Sequence, residues 1–159
     1  MADVAEAAGV GRATVYRYFP TRQALLERLA AVAVADAGAR LAETQLEKVQ
    51  PEEAVIRAVR ALLEGGSYLT VLARDRIRAN SEEYEQRLVA PLRRLFERGQ
   101  ESAAFRNDVP SQWLTNAFVD LVVSVASSTP GFGRDDTVAA IAGLFLDGAR
   151  SRPEAGDHP

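Results

Sequence analysis

The sequence contains no cysteine, and its single histidine, His158, is the penultimate residue. The lack of cysteine excludes disulfides, thiolate zinc sites and cysteine nucleophiles, and one terminal histidine argues against a histidine metal site or a Ser-His-Asp triad. Asp120 interrupts the best apolar run, residues 117–126, so no membrane span is expected. The first ten residues lack the basic and apolar regions of a secretory signal. We therefore expect a cytoplasmic protein without a cofactor or metal.

The charge of the chain is unevenly distributed. Its 159 residues are 47% hydrophobic and 26% charged, as in a globular protein with a substantial core, and the net charge is −3. Residues 1–28 carry four arginines against three acids, a net charge of +1 that leaves −4 on the remainder. The arginines are Arg12, Arg17, Arg22 and Arg28. A basic segment on an acidic body indicates a phosphate-binding surface, but scattered surface arginines in an arginine-rich composition would produce the same balance.

The residue types predict an all-α fold, because Ala, Leu, Arg and Glu are abundant and no alternating strand pattern occurs. Glycine, proline and capping residues divide the chain into helices at about 2–8, 12–19, 22–47 and 51–64, a short one ending near 79, and others at about 81–99, 110–127 and 136–150. Pro91 must kink or restart its helix, since it cannot donate a hydrogen bond to the carbonyl of Arg87. Residues 151–159 are expected to be a disordered tail.

Residues 4–19 have the pattern of a helix-turn-helix, with Gly9 in the turn between two short helices. Val15 and Phe19 form one apolar stripe of the second helix, about 40° apart, and face Val4, Ala5, Ala8 and Val10 of the first. The opposite half holds Ala13, Thr14 and Arg17, with Tyr16 and Tyr18 on its flanks. A cation, a hydroxyl, a methyl and two phenols suit base edges and phosphates, although an ordinary amphipathic helix would show the same stripe.

The stretch VAEAAGVGRATVYRYFPTRQALLERL resembles the second half of the DNA-binding domain of TetR-type (tetracycline-repressor-like) transcriptional regulators. It contains that family's A-x-x-A-G-V turn and its T-(L/V)-Y-x-(H/Y)-F recognition helix, and the rest of the chain resembles the family in helix layout. The resemblance implies that Arg12, Ala13 and Tyr16 face base edges, whereas Thr14, Arg17 and Tyr18 lie near phosphates. It also implies phosphate contacts from Thr21 and Arg22. Gly11 departs from the family, which usually has a serine cap there.

The resemblance also implies a one-component regulator, most often a repressor, that binds a palindromic double-stranded operator as a homodimer and is released by a small effector. The expected domains are a DNA-binding head at 1–46, a ligand-binding and dimerisation body at 47–150, and the tail at 151–159. Two alternatives stay open. One is a helical dimeric ligand-binding or interaction module that does not bind DNA. The other, a small helical enzyme, is disfavoured by the lack of usable His, Cys or an acid cluster.

The family's first helix has no counterpart, because the sequence begins inside the second. A head without that helix leaves apolar surface uncovered, and about 200 Å² at roughly 25 cal/mol per Å² is about 5 kcal/mol. We therefore expect the 159-residue chain to be truncated and to bind operator DNA poorly as it stands. An N-terminal extension on the order of 25–45 residues, ending in a Ser or Thr cap, is expected to restore the head.

The last two helices are predicted to form the dimer interface. Each is apolar on more than one side, and a surface helix of a monomer needs only one apolar side. The predicted interface residues are Phe118, Val119, Val122, Val123, Ala126, Val138, Ile141, Ala142 and Phe145.

A pocket for a hydrophobic or aromatic effector is predicted between the long helix and the helices of residues 51–99. Apolar side chains recur there at helical spacing, and a helix kinked at Pro91 packs less closely against its neighbours. The predicted lining residues are Leu62, Tyr68, Leu72, Tyr84, Leu88, Leu92, Phe96 and Trp113. Ordinary core packing is the alternative for each of these residues.

Overall fold

The computed structural model describes residues 1–65, 82–127, 131 and 133–151, and the prediction of an all-α fold is confirmed, since no strand occurs within these ranges. The helices are α1 (Ala2–Ala7), α2 (Arg12–Tyr18), α3 (Arg22–Glu43), α4 (Pro51–Glu64), α5 (Ala90–Glu101), α6 (Ser111–Ser127) and α7 (Arg134–Ala149). The predicted helix ending near residue 79 and the tail beyond 151 lie outside the described residues. None of the described helices is long and apolar enough to cross a membrane.

The long helix α3 ends at Glu43, four residues before the predicted end near 47. The Thr44 hydroxyl donates to the Leu41 carbonyl at 2.6 Å, and Gln45 adopts a left-handed conformation with φ of 51°. A 3-10 turn, Leu46–Lys48, then brings the side chain of Leu46 into the core. Because glycine and asparagine are the usual residues at a left-handed helix end, Gln45 gave no indication of this turn.

Pro91 interrupts its helix, as predicted, and the interruption is a π segment. One α-helical turn, Glu82–Tyr84, leads into a π-helix at Glu85–Val89, and α5 follows with Pro91 in its first turn. The Ala90 N–H donates to the Glu85 carbonyl, five residues back. The π segment therefore lies where Pro91 has no N–H to continue the α-helical pattern.

Four phenylalanines form the centre of the main core, which α3 to α7 share. The ring centroid of Phe96 lies 5.7 Å from that of Phe105, 5.6 Å from Phe118 and 5.3 Å from Phe145. Phe118 and Phe145 are 5.1 Å apart in an edge-to-face arrangement. Phe105 comes from the loop after α5 and covers Gly99, where an added Cβ would lie 2.0 Å from the ring. This core holds the body helices in fixed relative positions.

A short antiparallel bridge joins the loop after α5 to the end of α7. Phe105 pairs with Arg150. The Arg106 N–H donates to the Ala149 carbonyl at 2.8 Å, and the Ser151 N–H donates to the Ala104 carbonyl at 3.3 Å. The bridge therefore ties the C-terminal end of the last helix to the loop that carries Phe105.

Candidate nucleic-acid interface

The turn between α1 and α2 requires glycine. Gly9 has φ of +64°, in the left-handed region that side chains rarely adopt, and nothing lies within 4 Å of a Cβ added there. The Val10 N–H donates to the Ala5 carbonyl at 3.0 Å and closes the end of α1. Ala5 and Val15 are buried, at 3% and 6% exposure, so α2 is held by its inner side and presents the other side outward.

All eight residues predicted to contact DNA are at the surface of the head. Thr14 is half-buried, and the other seven are exposed, namely Arg12, Ala13, Tyr16, Arg17, Tyr18, Thr21 and Arg22. Tyr16 and Tyr18 are 51% and 66% exposed, and the Arg17 guanidinium carbon lies 5.1 Å from the centre of the Tyr18 ring. Helix α2 contains no acidic residue. The outer side of α2 therefore presents two arginines and two tyrosine hydroxyls that can contact a DNA groove. No carboxylate on α2 would repel the DNA phosphates.

The packing between α1 and α2 differs from the prediction. Val4 and Val10 were expected to pack against the apolar stripe of α2, but they are 39% and 44% exposed. Ala8 is exposed as well, so Ala5 is the one residue of the predicted four that is buried. The head's buried residues, together with Leu26 and Ala30 of α3, lie outside the main core.

Thr21 caps the N-terminus of α3, because its hydroxyl oxygen accepts a hydrogen bond from the Ala24 N–H at 3.0 Å. We expect Thr21→Ala to lower the free energy of unfolding by about 1 kcal/mol, whereas Thr21→Ser keeps the cap and most of the stability. Urea denaturation of both variants measures this. Equal losses in the two would show that the methyl group, not the cap, is responsible.

The comparisons with known proteins agree with the geometry of the head. Residues 1–29 match the model of the family described as "Bacterial regulatory proteins, tetR family". The match includes α1, the Gly9 turn, α2 and the start of α3. The head of this chain, residues 1–29, belongs to the TetR family of bacterial regulatory proteins. No curated protein sequence matches it.

Solved TetR-family structures share the fold. PfmR from Thermus thermophilus has a TM-score of 0.70 at 21% identity, over 91% of this chain and 86% of that chain. LfrR from Mycobacterium smegmatis, solved in complex with proflavine, has a TM-score of 0.69 at 26% identity, over 92% of this chain and 82% of that chain. SCO0520 from Streptomyces coelicolor has a TM-score of 0.55 at 26% identity, over 94% and 86%. The chain thus carries the helix-turn-helix of a non-enzymatic family of regulators, which confirms the prediction that it is not an enzyme.

The residues predicted to line a pocket in this TetR-family regulator divide into three groups. Tyr68 and Leu72 lie outside the described residues. Four belong to the buried core, namely Leu62, Leu88, Leu92 and Phe96, and Tyr84 packs against that core while half-buried. Trp113 was predicted to point inward, but it is 57% exposed. The buried side of α6 is formed by Leu114, Phe118 and Val122, so Trp113 lies on the exposed side of the helix.

The residues predicted to form the dimer interface lie on two different sides of their helices. Six lie inside the core of the chain itself, namely Phe118, Val122, Val138, Ile141, Ala142 and Phe145, so they cannot face a second copy. The prediction thus selected the inner side of α6 and α7. Val119, Val123 and Ala126 are half-buried on α6, and on α7 Leu144 is 68% exposed. Val119 packs against the core, so Val123, Ala126 and Leu144 are the apolar residues that remain for a partner.

Sequence reasoning missed an open polar cleft of about 260 Å³ between the end of α3 and α4. Its lining residues are Arg40, Glu43, Thr44, Gln45, Arg57, Arg60, Ala61 and Glu64. The three arginines are each paired with a carboxylate at 2.9 Å, as Arg40–Asp36, Arg57–Glu53 and Arg60–Asp135. The hydrogen bond to Asp36 raises the pKa of Arg40 above its ordinary value. With its cations already paired, this cleft does not match the hydrophobic effector predicted from the sequence.

Proposed function

We propose that this regulator is a repressor that binds a palindromic operator as a homodimer and is released by a small hydrophobic or aromatic effector. In this proposal residues 1–46 form the head and residues 47–150 the body. The observation that carries it is the outer side of α2, where Arg12, Tyr16 and Arg17 are exposed with no acid on the helix. Side chains of this kind read base edges and hold phosphates when a recognition helix enters the major groove.

Selection from a library of random duplex DNA tests the operator. The full chain is used to enrich sequences at low ionic strength, where even the weak binding expected of a head without its first helix is strongest. We expect a palindrome whose half-sites are about one helical turn apart. Enrichment of no sequence, with equal binding to all duplexes, would instead support a dimeric ligand-binding or interaction module that does not read DNA.

Support for a homodimer comes from the outer apolar side of α6 and α7. Leu144 is 68% exposed in the middle of α7, and Val123 and Ala126 are half-buried on the neighbouring helix. Apolar side chains that recur along two packed helices are typical of a protein interface. Obligate dimers of this kind bury about 2,000 Å² or more.

We expect Leu144→Glu to shift the protein from dimer to monomer at micromolar concentration, because it would bury a carboxylate among apolar side chains of the interface. Sedimentation velocity measures the change in mass. Ala139→Glu is the matched control, since Ala139 is exposed on the same helix about 140° away. A wild-type chain that sediments as a monomer, or a Leu144→Glu variant that stays dimeric, would contradict the interface.

The proposal for an aromatic effector is supported by the similarity to LfrR, which was solved in complex with proflavine. Proflavine is therefore the first probe to titrate against the complex of this chain with its selected operator. We expect saturable binding to the protein and release of the DNA, since a ligand that prefers one of two states shifts the equilibrium toward it. Proflavine also intercalates into DNA, so its binding to the DNA-free protein is measured separately.

A further inference from the structure

The long helix α3 and the π segment come into close contact at Gly38. A Cβ added to Gly38 would lie 2.7 Å from the Arg87 Cβ and 3.3 Å from its Cδ. A separation under 3.0 Å is not tolerated, and the Cβ of Arg87 cannot rotate away as a side-chain tip can. The two helices therefore touch at this point only because residue 38 has no side chain.

Arg87 occupies the middle of the π segment Glu85–Val89. On the C-terminal side, Leu92 and Phe96 are fixed in the core at 0% exposure. A π-helical turn contains about one residue more than an α-helical turn. Conversion of the π segment to an α-helix would therefore rotate the residues before the segment by about 100° relative to the residues after it. The position of Arg87 against α3 thus depends on the π geometry, which Pro91 favours because it offers no N–H to the Arg87 carbonyl.

The far end of α3 is held in place. Arg98 of α5 donates to the carbonyls of Glu47 and Leu46 at 2.6 and 2.7 Å, and Leu46 is buried in the core. Gly38 lies six residues, about 9 Å, from Thr44 at this fixed end, and 16 residues, about 24 Å, from Arg22 at the head. If α3 rotates about Thr44, a displacement at Gly38 is therefore multiplied about 3.7-fold at Arg22.

We propose that the π segment sets the angle of α3, and with it the position of the head relative to the body, through the contact between Gly38 and Arg87. This inference rests on the proposed function, in which α3 connects the DNA-binding head to the effector-binding body. In this proposal a change in the π segment moves α3, and the turn held by Arg98 stays fixed. The head, at the other end of α3, then moves furthest.

The position of the head can be measured within one chain. The sequence has no cysteine, so Gln23→Cys at the start of α3 and Glu101→Cys at the end of α5, both exposed sites, accept spin labels without competition. Labelled chains are diluted into unlabelled chains, and the distance is read by pulsed electron paramagnetic resonance. Gly38→Ala must open the contact by about 1 Å, and we expect a shift of about 3 Å between the labels. Affinity for the selected operator is expected to fall about tenfold, through misplaced base contacts.

Three further variants decide the interpretation. Gly38→Ala combined with Arg87→Gly removes the opposing Cβ and should restore the distance. Pro91→Ala supplies the missing N–H and should shift the distance although residue 91 is on α5. Gly99→Ala is the control, because its Cβ would lie 2.0 Å from Phe105 and lower the urea midpoint, but the head should not move.

An unchanged distance in Gly38→Ala, failure of the double variant to restore it, or an unchanged distance in Pro91→Ala would each overturn the proposal. A shifted distance with unchanged operator affinity would also overturn it, because the angle would then not control DNA binding. A wild-type chain that selects no operator would contradict the proposed function, whereas the distances within one chain would still test the π segment.

Discussion

Replacement of Phe96 by alanine is expected to lower the free energy of unfolding by about 3–5 kcal/mol, the largest loss for any single truncation in this core. Phe96 is 0% exposed, and its ring contacts those of Phe105, Phe118 and Phe145. These rings come from a loop and two other helices, so the cavity cannot close without moving all three. Urea denaturation followed by far-ultraviolet circular dichroism measures the loss.

Tyr18→Ala is the control for this experiment, since it also truncates an aromatic residue but one that is 66% exposed. It should change the free energy of unfolding by about 0.5 kcal/mol or less. A Phe96→Ala variant that is as stable as this control would show that the ring cluster contributes little to the fold.

Operator binding by the dimer is expected to weaken about 150-fold between 50 and 200 mM salt, if Arg17 and Arg22 of each head neutralise one phosphate apiece. Arg22→Ala removes two of these four contacts and should reduce the loss over the same range to about 12-fold. Fluorescence anisotropy with labelled operator and with random duplex at several salt concentrations measures both slopes.

Tyr16→Ala is the matched comparison, because it removes a predicted base contact without a change in charge. It should keep the salt slope and reduce the preference for operator over random DNA by about 1–3 kcal/mol per lost contact. Arg12→Ala should also reduce that preference. Equal losses on specific and random DNA for all three variants would mean that the assignment of base and phosphate contacts is wrong.

The turn of the head and the exposed side of α2 could be predicted because their determinants are local. The positive φ of Gly9 requires glycine, and Val15 is the one buried residue of the seven in α2. The interruption at Pro91 was equally local, since a missing N–H affects its own helix whatever surrounds it. Only its form, a π segment, was not predicted.

The body could not be predicted to the same depth, because tertiary packing determines which side of each body helix is buried. Helices α6 and α7 are apolar on two sides, and periodicity alone does not say which side faces inward. The predicted dimer residues therefore included Phe118 and Phe145 of the core, and Trp113 was placed inside although it is 57% exposed. Phe105 lies in a loop and belongs to no helical pattern, yet it fills the space above Gly99.

The bridge between Phe105 and Arg150 has a consequence for local opening. The last turn of a helix usually frays, and its amide hydrogens exchange with solvent far faster than those of the core. Here the Ala149 carbonyl accepts from the Arg106 N–H, and the Ser151 hydroxyl donates to the Phe105 carbonyl. Fraying would therefore break the hydrogen bonds that hold the Phe105 loop. In hydrogen exchange, the end of α7 should open together with the aromatic core rather than as a helix terminus.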